Sequence, residues 1–300
     1  MIKLKTFGSF TVGNGLTSVQ EGAWRSEKLE KLFVYLAMNR NRGVCIEDIS
    51  EAIWQVEEET DNPVGALKNL AYRLRKALRD ASFGEECIVS VRGGLYKWND
   101  DVEVTIDVEE FDRYINEAEM AFCRSKETAI ESYEKAIALY HGDFLPLRTD
   151  THWFMTLNAF YHSRYVNTVK ALAKLYIDTG CYEKLEQLCT RAIVYERSDE
   201  QIYSYLIVAR MRTKKVQMAF DTYETAKAIM DKDLGVRKTV MLNKVYEELL
   251  SVTKGASSYN IDEVKDDISE ESMNGVFMCG YPVFKEIYQL EVRKSARSTI

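Results

Sequence analysis

A pattern of residue sizes that recurs after 34 residues is the feature that most constrains the fold of this chain. Between about residues 107 and 250, strand-type alternation is absent and apolar residues follow the helical period. Two segments match at the 34-residue offset, and their paired positions are Leu185 with Ala219, Cys189 with Tyr223, and Ala192 with Ala226. Small residues at fixed positions let two helices pack closely, so the recurrence predicts stacked helical hairpins.

An earlier segment extends this recurrence. Ala129, Tyr133 and Ala136 repeat the same spacing, and residues 180–182 lie where a turn between two helices is expected. The period and the positions of the small residues resemble tetratricopeptide repeats. A generic helical bundle with coincidental alanines is the alternative.

The N-terminal 100 residues follow a different pattern. Residues 1–20 alternate between apolar and polar positions with interspersed glycines, which predicts short antiparallel strands. Three helices are predicted next, and a β-hairpin follows them. The predicted helices span about 26–39, 47–54 and 63–81, and the hairpin spans 87–98. We therefore expect an α+β N-terminal part before an all-α part, in a chain that is mainly α overall.

Composition limits the possible environments and partners. The chain has 40 Lys and Arg against 47 Asp and Glu, a net charge of −7, which excludes a histone-like basic coat but leaves room for a local basic face. The sequence has no run of about 18 apolar residues and no signal-peptide apolar block, so we expect a cytoplasmic protein without a membrane partner. Six scattered cysteines without a C-x-x-C pair predict reduced thiols rather than a zinc site.

The segment 67–79 is the most informative about function. Four leucines at three- and four-residue intervals predict a buried stripe: Leu67, Leu70, Leu74 and Leu78. The other faces carry five basic side chains and no acid, namely Lys68, Arg73, Arg75, Lys76 and Arg79. Solvated helices normally mix both signs of charge, so the uncompensated face indicates a polyanionic partner such as nucleic acid.

The predicted hairpin adds a second candidate contact. Arg92, Gly93 and Gly94 stand at its tip, where the glycines allow a tight turn and a close backbone approach. An Arg at such a tip fits a narrow minor groove. Directly after a basic helix, the hairpin is interpreted as a wing.

Several motifs in order resemble a known family. The segments "YRLRKAL" (72–78) and "VSVRGGLYKW" (89–98) are similar to the response-regulator type of winged helix-turn-helix. The segments "WRS" (24–26) and "AIW" (52–54) resemble one branch of it, the SARP-type bacterial transcriptional activators. In that branch a bacterial transcriptional activation domain of tetratricopeptide repeats follows, and the segments that resemble it are "IDVEEFDRY" (106–114), "IALYHGDFLP" (137–146) and "DLGV" (233–236).

The resemblance implies a DNA-binding transcriptional regulator of the activator type that reads double-stranded DNA with its third helix and wing. The expected DNA-binding residues are Lys68, Asn69, Tyr72 and Arg73 at base edges, Arg75, Lys76 and Arg79 at phosphates, and Arg92, Gly93 and Gly94 at the wing. The second helix and the loop 55–62 would face RNA polymerase. The helical repeats would supply regulation, partner binding or self-association as a homodimer.

Enzymatic function is not expected. The sequence lacks G-x-x-x-x-G-K-[ST], G-x-G-x-x-G and G-x-S-x-G motifs, so we expect no catalytic residues and no cofactor. Three histidines and an acid, His141, Asp143, His152 and His162, match no metal-ligand spacing. We therefore expect no metal site.

The expected domains are a winged helix-turn-helix over 1–100, a helical activation domain over 105–250, a polar linker over 251–274, and the start of a further, truncated domain over 275–300. The alternative function, from another class, is a protein–protein scaffold of tetratricopeptide repeats that does not bind DNA. The acidic net charge is the observation that favours this alternative.

Overall fold

The computed structural model describes residues 1–54, 62–83, 87–91, 94–148, 150–234, 239–256 and 287–288. The chain divides into two compact units, Met1–Arg197 and Ser198–Ile300. Most of the expected linker and the expected strand and helix after it lie outside the described residues, as do Arg92, Gly93 and the acidic loop 55–61.

A small mixed sheet begins the first unit. Its strands are β1 (Ile2–Lys5), β2 (Thr11–Gly13), β3 (Ser18–Gln20) and β6 (Val104–Ile106). The spatial order is β3-β2-β1-β6, and β1 is antiparallel to β2 but parallel to β6. The antiparallel strands β1, β2 and β3 agree with the prediction. No strand is predicted from the sequence at the position of β6. The sheet therefore joins the start of the chain to a strand that lies about a hundred residues further on.

Three helices and a hairpin lie between β3 and β6. They are α1 (Glu27–Met38), α2 (Ile46–Ile53), α3 (Pro63–Asp80), β4 (Ile88–Val91) and β5 (Leu95–Trp98). The leucine stripe of α3 is buried, as predicted. The segment between α1 and α2 pairs with β5, because Val44 and Tyr96 exchange backbone hydrogen bonds of 2.8 and 2.9 Å. These elements form the expected winged helix-turn-helix.

Two helical pairs complete the first unit. They are α4 (Asp107–Ala121) with α5 (Lys126–Leu139), and α6 (His152–Thr179) with α7 (Tyr182–Tyr195). The small and large residues of the recurrence are buried on α5 and α7: Ala129, Tyr133, Ala136, Leu185, Cys189 and Ala192. Gly180 ends α6 in the left-handed conformation at φ 72°, which is the inter-helix turn that the sequence predicts.

The second unit continues the helical pairing. Its helices are α8 (Glu200–Arg212), α9 (Val216–Leu234) and α10 (Val240–Ala256). Ala219, Tyr223 and Ala226 are buried on α9, which confirms the helical repeats. The Glu200 carboxylate accepts from the backbone N–H groups of Met241 and Leu242, at 2.7 and 3.0 Å, and so satisfies free donors at the start of α10.

Asp107 links the sheet to the helices within the first unit. Its side chain is buried at the start of α4 and accepts from the N–H groups of Thr6 (2.8 and 2.9 Å), Phe7 (3.0 Å) and Val108 (3.0 Å). The Thr6 hydroxyl donates to it at 2.7 Å. Burial raises the pKa of Asp107 above its ordinary value, and the same hydrogen bonds offset part of this rise. A buried carboxyl with this many donors holds β1 against the first helix of the repeats.

Aromatic packing surrounds this link. The Phe7 ring lies 5.2 Å from Phe111, 5.0 Å from Tyr140 and 5.7 Å from Tyr161, measured between ring centroids. The next residue, Gly8, has a φ of +81°, and a Cβ there would lie 2.6 Å from a backbone oxygen. Glycine is therefore required where the N-terminal segment passes the helices.

Ion pairs add to the contact between α1 and the segment before α6. Lys31 pairs with Asp150, and Arg148 pairs with Glu30. Lys31 and Glu30 are only 2% exposed, so each charge depends on its partner. The winged helix and the first two helical pairs therefore share one interior.

We predict that Asp107→Asn lowers the free energy of unfolding by about 2–4 kcal/mol, because an amide NH₂ would face backbone donors in a buried site. Urea unfolding followed by circular dichroism measures this change. The control is Asp101→Asn at an exposed position, for which we expect a change within about 0.5 kcal/mol. Equal midpoints for the two variants would contradict the role of Asp107.

A hydrogen-bonded group of side chains surrounds His162. Its Nδ1 lies 2.7 Å from Asp143 Oδ1, and its Nε2 lies 3.1 Å from Glu196 Oε2. The hydrogen bond to Asp143, and to a smaller extent the one to Glu196, raises the pKa of His162 to about 9, although partial burial lowers it. Within the described ranges, no group of three or more His, Cys, Asp or Glu is arranged to hold a metal ion. Asp143 and His162 form an internal ion pair in this structure.

We predict that this pair makes stability depend on pH above neutrality. The native imidazole has its pKa raised to about 9, whereas an unfolded chain titrates at about 6.5. The stabilisation is therefore complete below pH ~6.5 and is lost as the pH rises through about 9. Urea midpoints at several pH values in this window should decline for the wild type and change less for His162→Gln. Parallel curves for the two proteins would refute the assignment.

Candidate nucleic-acid interface

The two sides of α3 differ in burial and in charge. Its leucines pack inward, and the opposite side exposes six of the predicted DNA-binding residues: Lys68, Asn69, Tyr72, Arg73, Lys76 and Arg79. At about 100° per residue these six occupy an arc of about 140° centred opposite the leucine stripe. Tyr72 is 64% exposed near the middle of this arc. We call these six residues the basic face.

The N-terminal end of α3 has a specific cap. Pro63 occupies the first turn, where its missing N–H costs nothing, and the Asn62 side chain accepts from the Gly65 N–H at 2.8 Å. A Cβ on Gly65 would come within 2.8 Å of the Asn62 amide. The glycine therefore permits the cap that determines where the helix begins.

The C-terminal end of α3 is held by the turn between β2 and β3. Asn14 Nδ2 donates to the Ser82 carbonyl at 3.1 Å, and Thr17 Oγ1 donates to the Ala81 carbonyl at 3.0 Å. Asn14 also accepts from the Thr17 N–H at 2.9 Å, which keeps the turn in shape. Neither residue is among those predicted from the sequence to form the site, although an Asn-Gly pair is a turn signal.

Arg75 differs from the other basic residues of α3. It is half-buried at the margin of the leucine stripe, and its Nε donates to the Ile88 carbonyl of β4 at 3.1 Å. From the sequence, Arg75 is expected at a DNA phosphate. The structure gives its guanidinium a contact inside the protein.

The hairpin β4–β5 is the wing that the sequence predicts. Its base is held by Tyr96 and Trp98, which are buried, and by the Trp98 Nε1 hydrogen bond to the Val102 carbonyl at 2.8 Å. At the tip, Gly94 is exposed and has a φ of +82°, a conformation that favours glycine. Gly94 is therefore the described member of the predicted tip.

An acidic surface lies on α2. Glu47, Asp48 and Glu51 are exposed on this helix. The helix also contacts α6, because the Thr151 hydroxyl donates to the Ala52 carbonyl at 2.8 Å. We call these three residues the acidic face. The winged helix therefore presents opposite charges on two neighbouring helices.

No helix within the described residues is both long and apolar enough to span a bilayer.

Comparison with known proteins identifies the helical part. Residues 106–250 match the family model of the bacterial transcriptional activator domain. The match begins one residue before Asp107 and ends within α10, so it contains α4 to α9 and most of α10.

Two similar proteins extend the comparison to the winged helix. The chain is 23% identical over 238 residues to the transcriptional regulator RedD of Streptomyces coelicolor, a match that covers 78% of this chain and 67% of RedD. A solved structure of Mycobacterium tuberculosis EmbR, in complex with a low affinity phosphopeptide, is similar in fold, with a TM-score of 0.64 at 19% identity. That match covers 91% of this chain and 72% of the EmbR chain.

The similarity to RedD covers more of the chain than the activator-domain match, so it extends into the winged helix. The chain contains a bacterial transcriptional activator domain at residues 106–250 and is similar to the SARP-type bacterial transcriptional activators.

Proposed function

We propose that this protein activates transcription by binding duplex DNA, with α3 in the major groove and the wing at the adjacent minor groove. The observation that carries the proposal is the basic face, which is exposed opposite the core on a helix held at both ends. The sequence from Leu67 to Arg79 contains no acid that would neutralise it. A basic helix of this width that is held at both ends fits the major groove of B-DNA.

Within the basic face we assign two roles. Side chains that point into the groove read base edges, and we place Lys68, Asn69, Tyr72 and Arg73 there. Asn69 is suited to an adenine edge and Arg73 to a guanine edge, since both side chains can form bidentate hydrogen bonds. Lys76 and Arg79 lie further along the helix and contact phosphates. Arg92, with Gly93 and Gly94, reaches the minor groove or the backbone beside it.

The acidic face of α2 suggests where RNA polymerase binds. Carboxylates are repelled by DNA phosphates, so Glu47, Asp48 and Glu51 point toward a different partner. A basic protein surface complements them, and the loop 55–62 follows directly in sequence. We therefore propose the acidic face together with this loop as the polymerase contact, and the helical repeats as a further site of regulation.

The alternative is a scaffold that binds only proteins. Its one supporting observation is the net charge of −7. A shift assay over random duplexes at low salt separates the two functions, because a scaffold would leave every duplex unshifted. Transcription from a bound promoter with purified polymerase then tests activation itself.

We predict a strong salt dependence of DNA binding despite the acidic total charge. If Lys76, Arg79 and Arg92 each meet a phosphate, the logarithm of the association constant should fall with the logarithm of salt concentration at a slope of roughly −2 to −3. Fluorescence anisotropy with a labelled duplex between low and physiological salt gives this slope. Affinity that does not change with salt would support the scaffold.

We predict different effects for two neighbouring basic residues. Arg73→Ala should cost ~1–3 kcal/mol of binding free energy on the preferred duplex and less on random DNA, since it removes a base contact. Lys76→Ala should weaken all duplexes alike and reduce the magnitude of the salt slope by about one.

The two variants serve as matched controls, because each removes one positive charge from the exposed side of α3. Both should retain the wild-type urea midpoint. Equal losses for Arg73→Ala on preferred and random DNA would exclude its role in base reading.

A further inference from the structure

Arg75 is the basic residue of α3 whose position does not fit a DNA contact. On the helical wheel it lies about 60° from Tyr72 and beside the buried stripe, so it is turned away from the middle of the basic face. Its side chain is half-buried, and its Nε–H points to the carbonyl of Ile88 at 3.1 Å. The guanidinium therefore lies at the margin between the basic face and the buried stripe, with its Nε–H turned to a contact inside the protein.

The acceptor of this bond lies at the base of the wing. Ile88 is the first residue of β4 and is paired with Trp98 at the end of β5. Both side chains are buried, so the backbone of this pair has a fixed place in the core. A hydrogen bond to the Ile88 carbonyl therefore connects the helix that enters the major groove with the first strand of the wing.

We propose that Arg75 is a positioning residue that fixes the wing relative to α3, and that it is not a phosphate contact. The inference rests on the proposed function, because it concerns how two DNA-binding elements are kept at one spacing. Two adjacent grooves of a duplex lie at a set separation, so a wing that moves relative to α3 engages DNA less often. The group that we assign to this role is the Nε–H donor that bonds the Ile88 carbonyl.

Two uncharged variants separate the roles of donor and charge. In Arg75→Gln the side-chain amide nitrogen stands at the same distance along the chain as Nε, so it keeps a donor for Ile88. Arg75→Met has a similar length and no N–H donor. Both variants lose the positive charge, and a comparison between them isolates the hydrogen bond.

Binding to the preferred duplex is measured for both by fluorescence anisotropy. We expect Arg75→Gln to stay within about twofold of wild-type affinity and Arg75→Met to lose about five- to tenfold. A phosphate contact predicts no such difference: both variants would lose affinity equally, with the magnitude of the salt slope reduced by about one in each. That result would overturn the inference.

The wing supplies a second readout that a loss of overall stability would not mimic. In an Arg92→Ala background, where the wing contact is already weakened, Arg75→Met should cost less than about twofold, because residues that act through one contact are not additive. Lys76→Ala is the control, and its loss should be the same in both backgrounds. Additive losses for Arg75→Met would exclude action through the wing.

The outcomes also distinguish this inference from the proposed function. If wild-type protein binds no duplex at low salt, the proposed function fails. If it binds and the Gln and Met variants are equal, only the role of Arg75 fails. Urea unfolding of each variant shows whether the fold is retained.

Discussion

The buried carboxyl of Asp107 is the interaction on which the rest of the first unit depends. It receives hydrogen bonds from the two residues directly after β1 and from the helix that it begins. A buried acid without these donors would carry a large desolvation cost. Its presence therefore requires that β1 and α4 lie together, and the parallel pairing of β1 with β6 follows from the same arrangement. Phe7 and Gly8 then pass directly over the helices.

This dependence explains why the winged helix and the first helical pairs share one interior. The motif around Asp107 was identified from sequence only as a resemblance to the entry of an activator domain. Its physical role depends on a partner 101 positions earlier in the chain. Local periodicity carries no information about such a pairing, because it reports which face of an element is buried and not what covers that face.

The same distinction separates the predicted and unpredicted parts of the candidate site. The leucine stripe and the six exposed residues of α3 followed from the helical period, and the wing followed from strand alternation around two glycines. From the sequence, Arg75 is predicted to contact DNA like its basic neighbours, because charge and spacing are the only signals that the sequence offers. Its contact with Ile88 depends on where β4 lies. The Asn14 and Thr17 bonds to the end of α3 likewise depend on a turn more than sixty residues away.

Contacts of Lys31, Arg148 and Asp107 join the winged helix to the first two helical pairs. These pairs therefore have a fixed direction relative to the axis of α3. On a duplex that direction becomes an angle around the double helix. The pairs would project from one side of the DNA at a bound site, and a shift of that site by about five base pairs would carry them to the opposite side. A shift of about ten base pairs would return them to the original side. The interior contacts of the protein thus determine the helical phase at which a promoter site faces a second protein on the same DNA.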